Sequence, residues 1–114
     1  MAIFRIEFFN AGVERDIEAF PVDVRAAFAR LAQRMVDCGP DLGMPYTRAM
    51  GGGLFEVRAR GAEGIARVFY CTLVERRIVL LRAFVKKTQA TPDDEMKLAR
   101  KRQKEVTANA KRKI

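Results

Sequence analysis

The stretch from Leu54 to Lys87 constrains the fold of this chain more than any other. It contains three runs rich in Val, Ile, Leu, Phe and Tyr, and residues 61–64 and 75–76 separate them. Runs of this composition, with glycine or charged residues between them, are typical of strands joined by hairpin turns. The sequence therefore predicts a three-stranded antiparallel meander.

The lengths of the two turns predict how these strands pair. With residues 61–64 as the first loop, Arg58 lies opposite Arg67, and with residues 75–76 as the second loop, Arg67 lies opposite Phe84. Because side chains alternate between the faces of a strand, charged and aromatic side chains are expected to share one face. These side chains are Glu56, Arg58, Arg60, Arg67, Phe69, Arg82, Phe84 and Lys86.

The opposite face of the meander is expected to be apolar and to form the core. Its side chains are Phe55, Val57, Ala59, Ala66, Val68, Tyr70, Val79, Leu81, Ala83 and Val85.

Arginines gathered on one sheet face indicate an anionic ligand. Like charges directly opposite each other destabilise a sheet by up to about 1 kcal/mol per pair, and a bound polyanion would offset that cost. Arginine beside exposed aromatic rings is suited to binding phosphates and stacking bases. The alternative is that individual arginines pair with acids such as Glu7 or Glu56, and a one-residue slip in register would scatter the set.

The flanking segments complete an α+β domain. Residues 2–9 alternate and predict a first strand, while Asn10 is a plausible N-cap for a short helix. Pro21 opens a second helix, which ends at Gly39. The two helices are expected to form a hairpin over the apolar face of an antiparallel sheet, and residues 41–53 are expected to be a loop.

The C-terminal segment predicts a basic helix from Thr91 to about Val106. Its basic residues are either phosphate ligands or a solvated helix surface. The candidates for RNA contact are Lys97, Arg100 and Lys101. Residues 1–106 are therefore expected to form a single domain, and residues 107–114 a basic, disordered tail.

The net charge of +8 is distributed unevenly. Residues 1–50 contain six arginines against seven acidic residues, residues 51–85 six arginines against three, and residues 86–114 ten basic residues against four. A positive field concentrated on the meander and the last helix points to nucleic acid or to an acidic protein partner.

The composition excludes several other classes of protein. The chain has no histidine, and Cys38 and Cys71 are far apart, so the usual zinc motifs and histidine-based triads are absent and no metal or other cofactor is expected. No run approaches the roughly 20 apolar residues of a membrane span, and the N-terminus lacks the pattern of a secretory signal. We expect a cytoplasmic protein without a membrane partner.

Three motifs in this order give the chain a family resemblance. They are leucine-aromatic-Glu-x-Arg from Leu54, Arg-hydrophobic-aromatic-Tyr from Arg67, and Lys-Lys-Thr-x-x-Thr-Pro from Lys86. Together they resemble the phage-derived branch of the RelE/HigB toxins of type II toxin-antitoxin systems, over a region from Phe4 to about Glu105.

The resemblance implies a RelE-like fold and an mRNA endoribonuclease that acts at the ribosome and is held inactive by a cognate antitoxin, often one with a helix-turn-helix DNA-binding domain. Carried over by motif, the site residues are Arg58, Arg60, Arg67, Lys86 and Lys87. Some relatives use His or Tyr near the last strand or helix for proton transfer. This chain has no His, and its last helix has no Tyr.

Metal-independent RNA cleavage requires the 2′-hydroxyl to attack the adjacent phosphate. Arginines suit the stabilisation of the developing charge, but they are poor bases. On the predicted face, Glu56 and Lys86 are the candidate proton acceptors, and the alternative role of Glu56 is a salt bridge that positions Arg58 or Arg67. We expect Arg67→Ala to abolish cleavage and to leave the thermal melt nearly unchanged.

A second hypothesis is a non-catalytic basic module, either a degenerate toxin or a nucleic-acid- or protein-binding domain of the same fold. A ribosomal or nucleoid protein would also fit the pI of 10.1, but not the large predicted core. Growth arrest on expression would discriminate the toxin from both.

Overall fold

A computed structural model of the chain describes residues 3–86 and 93–112. The elements in chain order are β1 (Arg5–Phe8), α1 (Ala11–Glu18), α2 (Val22–Cys38), β2 (Thr47–Gly51), β3 (Leu54–Gly61), β4 (Gly64–Leu73), β5 (Arg77–Lys86) and α3 (Asp93–Arg112). The predicted α+β fold, with a meander, a helical hairpin and a basic last helix, is confirmed.

One five-stranded sheet, in the order β1-β5-β4-β3-β2, forms the centre of the protein. The α1–α2 hairpin covers one face and makes the main core with Val57, Val68, Tyr70 and Leu80. On the other face, α3 packs over a smaller apolar cluster that includes Phe69. The α3 helix covers only part of this second face.

Two strands differ from the sequence-based expectation. The first strand, β1, runs parallel to β5, so the sheet is mixed and not wholly antiparallel. The predicted loop of residues 41–53 contains β2, which pairs antiparallel with β3. Gly51, Gly52 and Gly53 have φ angles of 92°, 64° and 82°, a conformation that favours glycine and allows the tight turn between these strands.

The register around Arg67 is as predicted. Arg58 pairs with Arg67, and Arg67 pairs with Phe84. The second turn, however, is one residue longer than predicted, because Leu73 pairs with Arg77. A β-bulge between Phe69 and Tyr70 shifts the register back, so the two irregularities cancel before the strands reach Arg67.

Between the turn and the bulge, the side chains of β5 point to the faces opposite to those predicted. Val79 and Leu81 pack against α3, and Ile78 and Leu80 face the main core instead. The extra turn residue changes which side chains point to each face, because side chains alternate along a strand. Leu81 is the residue left unpaired by the bulge.

The helix signals were correct within the described residues. The Asn10 side chain accepts a hydrogen bond from the backbone N–H of Val13 at 3.0 Å, and α2 ends at Gly39, whose φ is 111°. The predicted start of α3 at Thr91 lies outside the described residues.

The last helix continues to Arg112, past its predicted end near Val106. Alanines at positions 108 and 110 favour this continuation, since alanine has the highest helix propensity. The predicted division between residues 1–106 and a tail therefore does not coincide with the end of α3.

No helix within residues 3–86 and 93–112 is both long and apolar enough to cross a lipid bilayer.

Candidate functional site

The part of the sheet face that α3 leaves open carries four basic side chains around one acid. The register places Arg48 opposite Glu56 and Arg58 opposite Arg67. Lys86 lies on the same face, two residues beyond the partner of Arg67. We call Arg48, Arg58, Arg67 and Lys86 the cationic cluster.

Glu56 is the counter-charge at the centre of the cationic cluster. Its carboxylate is completely buried and lies 3.3 Å from Nη1 of Arg67 and 3.9 Å from Nε of Arg58. A carboxylate with no exposed surface does not reach a substrate hydroxyl, so the geometry favours the salt-bridge alternative for Glu56. It holds the arginines of two adjacent strands together against their mutual repulsion.

Arg67 forms the floor of the cationic cluster. Its side chain is 5% exposed, and burial lowers its pKa, as do the nearby charges of Arg58 and Arg48, while Glu56 acts in the opposite direction. An arginine remains protonated at any physiological pH because its intrinsic pKa exceeds 12. Arg67 is thus a fixed cation, suited to stabilising a phosphate and unsuited to carrying a proton.

Lys86 is the one lysine of the cluster, and an ammonium group loses its proton more readily than a guanidinium group does. It is half-buried, and the pKa of its ammonium group is lowered by burial, then by the positive charges of Arg67 and Arg58. Lysines with lowered pKa values serve as general bases in enzymes, because they lose their proton more readily near neutral pH. Lys86 is therefore the proton-transfer candidate that the geometry supports best.

Arg48 was not among the predicted site residues, because residues 41–53 were expected to form a loop. In the structure, Arg48 lies on β2 and is exposed, and its charge acts on both Arg67 and Lys86. The short run Thr-Arg-Ala-Met before three glycines is a hairpin signal that could have revealed this strand.

Three predicted members of the face have other roles. Phe69 is fully buried beneath α3, so its expected role in stacking RNA bases is wrong. Phe84 is partly buried, with its ring 5.8 Å from that of Phe69. Arg82 is held by Glu95 of α3 at 2.9 Å and by Asp16 of α1 at 3.5 Å, so it joins two helices to the sheet.

The predicted RNA contacts on α3 divide into two kinds. Arg100 donates hydrogen bonds to the carbonyls of Met50 and Gly51 at 2.8 and 3.1 Å, so it fixes the β2–β3 turn. Lys97 and Lys101 are exposed. This agrees with the solvated-helix alternative for much of α3.

Two further candidates lie away from the cluster's centre. Arg60 is exposed near the end of β3 and borders a cleft against α2. Lys87 lies outside the described residues.

A comparison with models of protein families identifies the family of this chain. The model of a family described as phage derived protein Gp49-like (DUF891) matches residues 15–104, which is most of the chain and includes the whole cationic cluster. No curated protein matches the chain.

Proposed function

The chain belongs to the Gp49-like family of phage-derived proteins, and we propose that it is the toxin of a type II toxin-antitoxin system. In this proposal it is a RelE/HigB-like endoribonuclease that cleaves mRNA at the ribosome without a metal ion. The observation that carries the proposal is the cationic cluster: fixed arginines surround a buried Glu56, and a lysine of lowered pKa lies beside them.

The reaction assigned to this site is transesterification within the RNA strand. The 2′-oxygen forms a bond to the adjacent phosphorus, and the bond from phosphorus to the 5′-oxygen breaks. The products are a 2′,3′-cyclic phosphate and a 5′-hydroxyl. One proton leaves the 2′-hydroxyl, and one is delivered to the departing 5′-oxygen.

Arg58 and Arg67 are assigned to the phosphate oxygens. Guanidinium groups offer forked donors that match a phosphate, and their charge is present before the reaction begins, which stabilises the extra negative charge of the transition state. Arg48, exposed at the edge of the cluster, adds a further cation.

Lys86 is assigned to proton transfer. Its lowered pKa would let the ammonium group give up its proton more readily, and the resulting amine would accept the 2′-hydroxyl proton. A single weak acid-base group is sufficient if the ribosome aligns the RNA, because alignment alone supplies several kcal/mol of the barrier. Purified protein is therefore expected to cleave ribosome-bound mRNA much faster than naked RNA.

A cognate antitoxin is part of this proposal. An acidic segment over the cationic cluster would complement its charge and block RNA, and a helix-turn-helix domain on the antitoxin would link it to DNA.

Induced expression in a bacterium tests the function. Wild-type protein should arrest growth and produce mRNA fragments with 5′-hydroxyl ends. Arg58→Ala and Lys86→Gln should remove both effects, and Arg5→Ala, which removes an exposed arginine from the opposite edge of the sheet, should retain them. Harmless accumulation of folded wild-type protein would instead support the non-catalytic module.

A further inference from the structure

A cleft of about 420 Å³ lies between α2 and β3, beside the cationic cluster but outside the sheet face. Four arginines and five other side chains line it. They are Arg30, Arg34, Arg58 and Arg60, with Ala27, Leu31, Pro45, Tyr46 and Ile65. This volume is within the range of pockets that hold small molecules, and it is much larger than an inorganic anion requires.

This cleft forms where β2 stops pairing with β3. The last ladder pair between β2 and β3 is Thr47 with Val57, and the N–H of Arg58 donates to the carbonyl of Tyr46 at 2.9 Å. Beyond that point no strand within the described residues pairs with the outer edge of β3. Successive turns of α2 form the opposite wall, with Arg30 and Arg34 four residues apart on the same side of the helix.

Ion pairs neutralise little of the positive charge on the described arginines of the cleft. Within residues 3–86 and 93–112, no acidic side chain forms an ion pair with Arg30, Arg34 or Arg60. The acid partner of Arg58 is Glu56, which lies inside the cationic cluster. This excess of guanidinium groups makes the cleft chemically suited to an anion.

The walls of the cleft also offer a stacking platform. The Arg34 guanidinium lies over the Tyr46 ring, 4.9 Å from its centroid, and Tyr46 is 39% exposed. Aromatic rings and guanidinium planes are the surfaces on which unpaired RNA bases stack. This platform favours a nucleotide over an acidic peptide, which would need only the charges.

We infer that this cleft binds one nucleotide of the single-stranded RNA, next to the nucleotide whose phosphate lies in the cationic cluster. Arg30 and Arg60 hold its phosphate, and its base stacks on the Arg34–Tyr46 pair. Arg58 borders both sites, so the strand passes from one to the other across this residue. The inference rests on the proposed function and adds to it a second nucleotide position.

Binding of an uncleavable RNA tests the charge of the cleft. The probe is a fully 2′-O-methylated single-stranded oligonucleotide, and the readout is fluorescence anisotropy. Arg30→Ala with Arg34→Ala should raise the Kd about tenfold or more. The matched control is Arg5→Ala with Arg76→Ala, two exposed arginines near the opposite edge of the sheet, and it should leave the Kd near the wild-type value. An equal loss in both pairs would overturn the inference.

Stacking is tested separately at Tyr46. Tyr46→Ala should weaken binding of this probe about fivefold or more, and Tyr46→Phe should bind as the wild type does, because the ring is retained. An oligonucleotide with abasic sites throughout should bind Tyr46→Ala and wild type equally. If Tyr46→Ala weakens the abasic probe as much as the normal one, base stacking in the cleft is overturned.

Different experimental outcomes would overturn the cleft inference and the proposed function. If wild-type protein cleaves RNA while the cleft variants retain wild-type Kd and KM, only the cleft inference is overturned. If no RNA is cleaved but the cleft variants lose binding, the cleft stands as a nucleotide site and the nuclease proposal fails. If the cleft variants bind RNA as the wild type does but no longer bind a polyglutamate peptide, the nucleotide inference is overturned and the cleft is assigned to an acidic protein segment.

Discussion

Arg67, which we propose binds phosphate, also has a structural role, because among the described residues its guanidinium lies nearest to the buried Glu56 carboxylate, at 3.3 Å. Arg67→Ala would leave Glu56 buried without that partner, and breaking a buried pair on one side costs about 3–5 kcal/mol. The sequence-based expectation of a nearly unchanged melt assumed an exposed side chain, and the 4% exposure of Arg67 removes that assumption.

We therefore predict that Arg67→Ala lowers the thermal midpoint by roughly 10 °C or more. Arg67→Lys should retain most of the stability, because it keeps the charge, yet cleave poorly, because it loses the forked donors. Calorimetry and an mRNA cleavage assay measure the two effects. The control is Arg60→Ala on the same sheet, which is exposed and should melt as the wild type does.

Replacing Lys86 should raise the stability of the protein while lowering its activity, whereas Arg67→Ala should lower both. Its pKa is lower in the folded chain than in the unfolded chain, so the unfolded state holds the proton to higher pH. Stability should consequently increase as the pH rises between the two pKa values. At a pH where both states still hold the proton, the protonated lysine is unfavourable in the fold.

The predicted result is that Lys86→Gln raises the melting temperature at neutral pH and abolishes cleavage. In wild-type protein, the cleavage rate should rise with pH towards a pKa below the ordinary lysine value of 10.5. A pH–rate profile and melts of both proteins at several pH values provide the measurements. A lower melting temperature for Lys86→Gln would show that its ammonium group stabilises the fold.

At the scale of elements, α3 holds the irregular part of the sheet in place. The bulge leaves Leu81 without a ladder partner, and Nη1 of Arg102 donates to its carbonyl at 2.7 Å. The same guanidinium lies over the Phe9 ring, 4.8 Å from its centroid. Arg102 of α3 thus provides a hydrogen-bond donor for the carbonyl at the bulge and packs on the segment after β1.

We predict that Arg102→Ala destabilises the protein by about 1–3 kcal/mol, because it leaves a buried carbonyl without its donor. Lys101→Ala is the matched control, since Lys101 is the preceding residue on the same helix and is exposed. Urea unfolding of the two variants measures the difference. Equal midpoints would mean that water replaces Arg102 at the bulge.

Local sequence signals predicted the pairing of neighbouring strands within the meander but not the pairing of distant segments. The Gly61–Gly64 turn and the apolar runs were sufficient to predict the pairing of Arg58 with Arg67, because that hairpin is regular. The parallel pairing of β1 with β5 depends on contacts between distant segments, which no local pattern records. Burial of Phe69 was missed for the same reason, since α3 is distant in sequence.

The candidate site was predictable in part. Arg58, Arg67 and Lys86 share one face because the side-chain alternation of a regular strand is a strong rule. The role of Glu56 and the lowered pKa of Lys86 depend on burial, which sequence alone did not supply. The cleft beside α2 depends on where β2 stops pairing with β3, and β2 itself was not predicted.

At the scale of the whole molecule, the uneven charge predicts salt-dependent RNA binding. Each phosphate neutralised on a single strand contributes about −0.7 to the slope of log K against log salt. Arg48→Ala should reduce the magnitude of this slope by about 0.7 without changing the melt, because Arg48 is exposed. Arg76→Ala, an exposed change in the β4–β5 turn, should leave the slope unaltered. Equal slopes for wild type and Arg48→Ala would place Arg48 away from the RNA.

The longer turn after Leu73 and the bulge before Tyr70 shift the strand register of one hairpin by one residue in opposite directions. The distal end of that hairpin can therefore gain or lose a residue without disturbing the cationic cluster, provided that a second change of opposite sign occurs before Phe69. Homologous proteins that differ in the length of this turn should differ in the bulge as well, and their basic side chains should still superimpose.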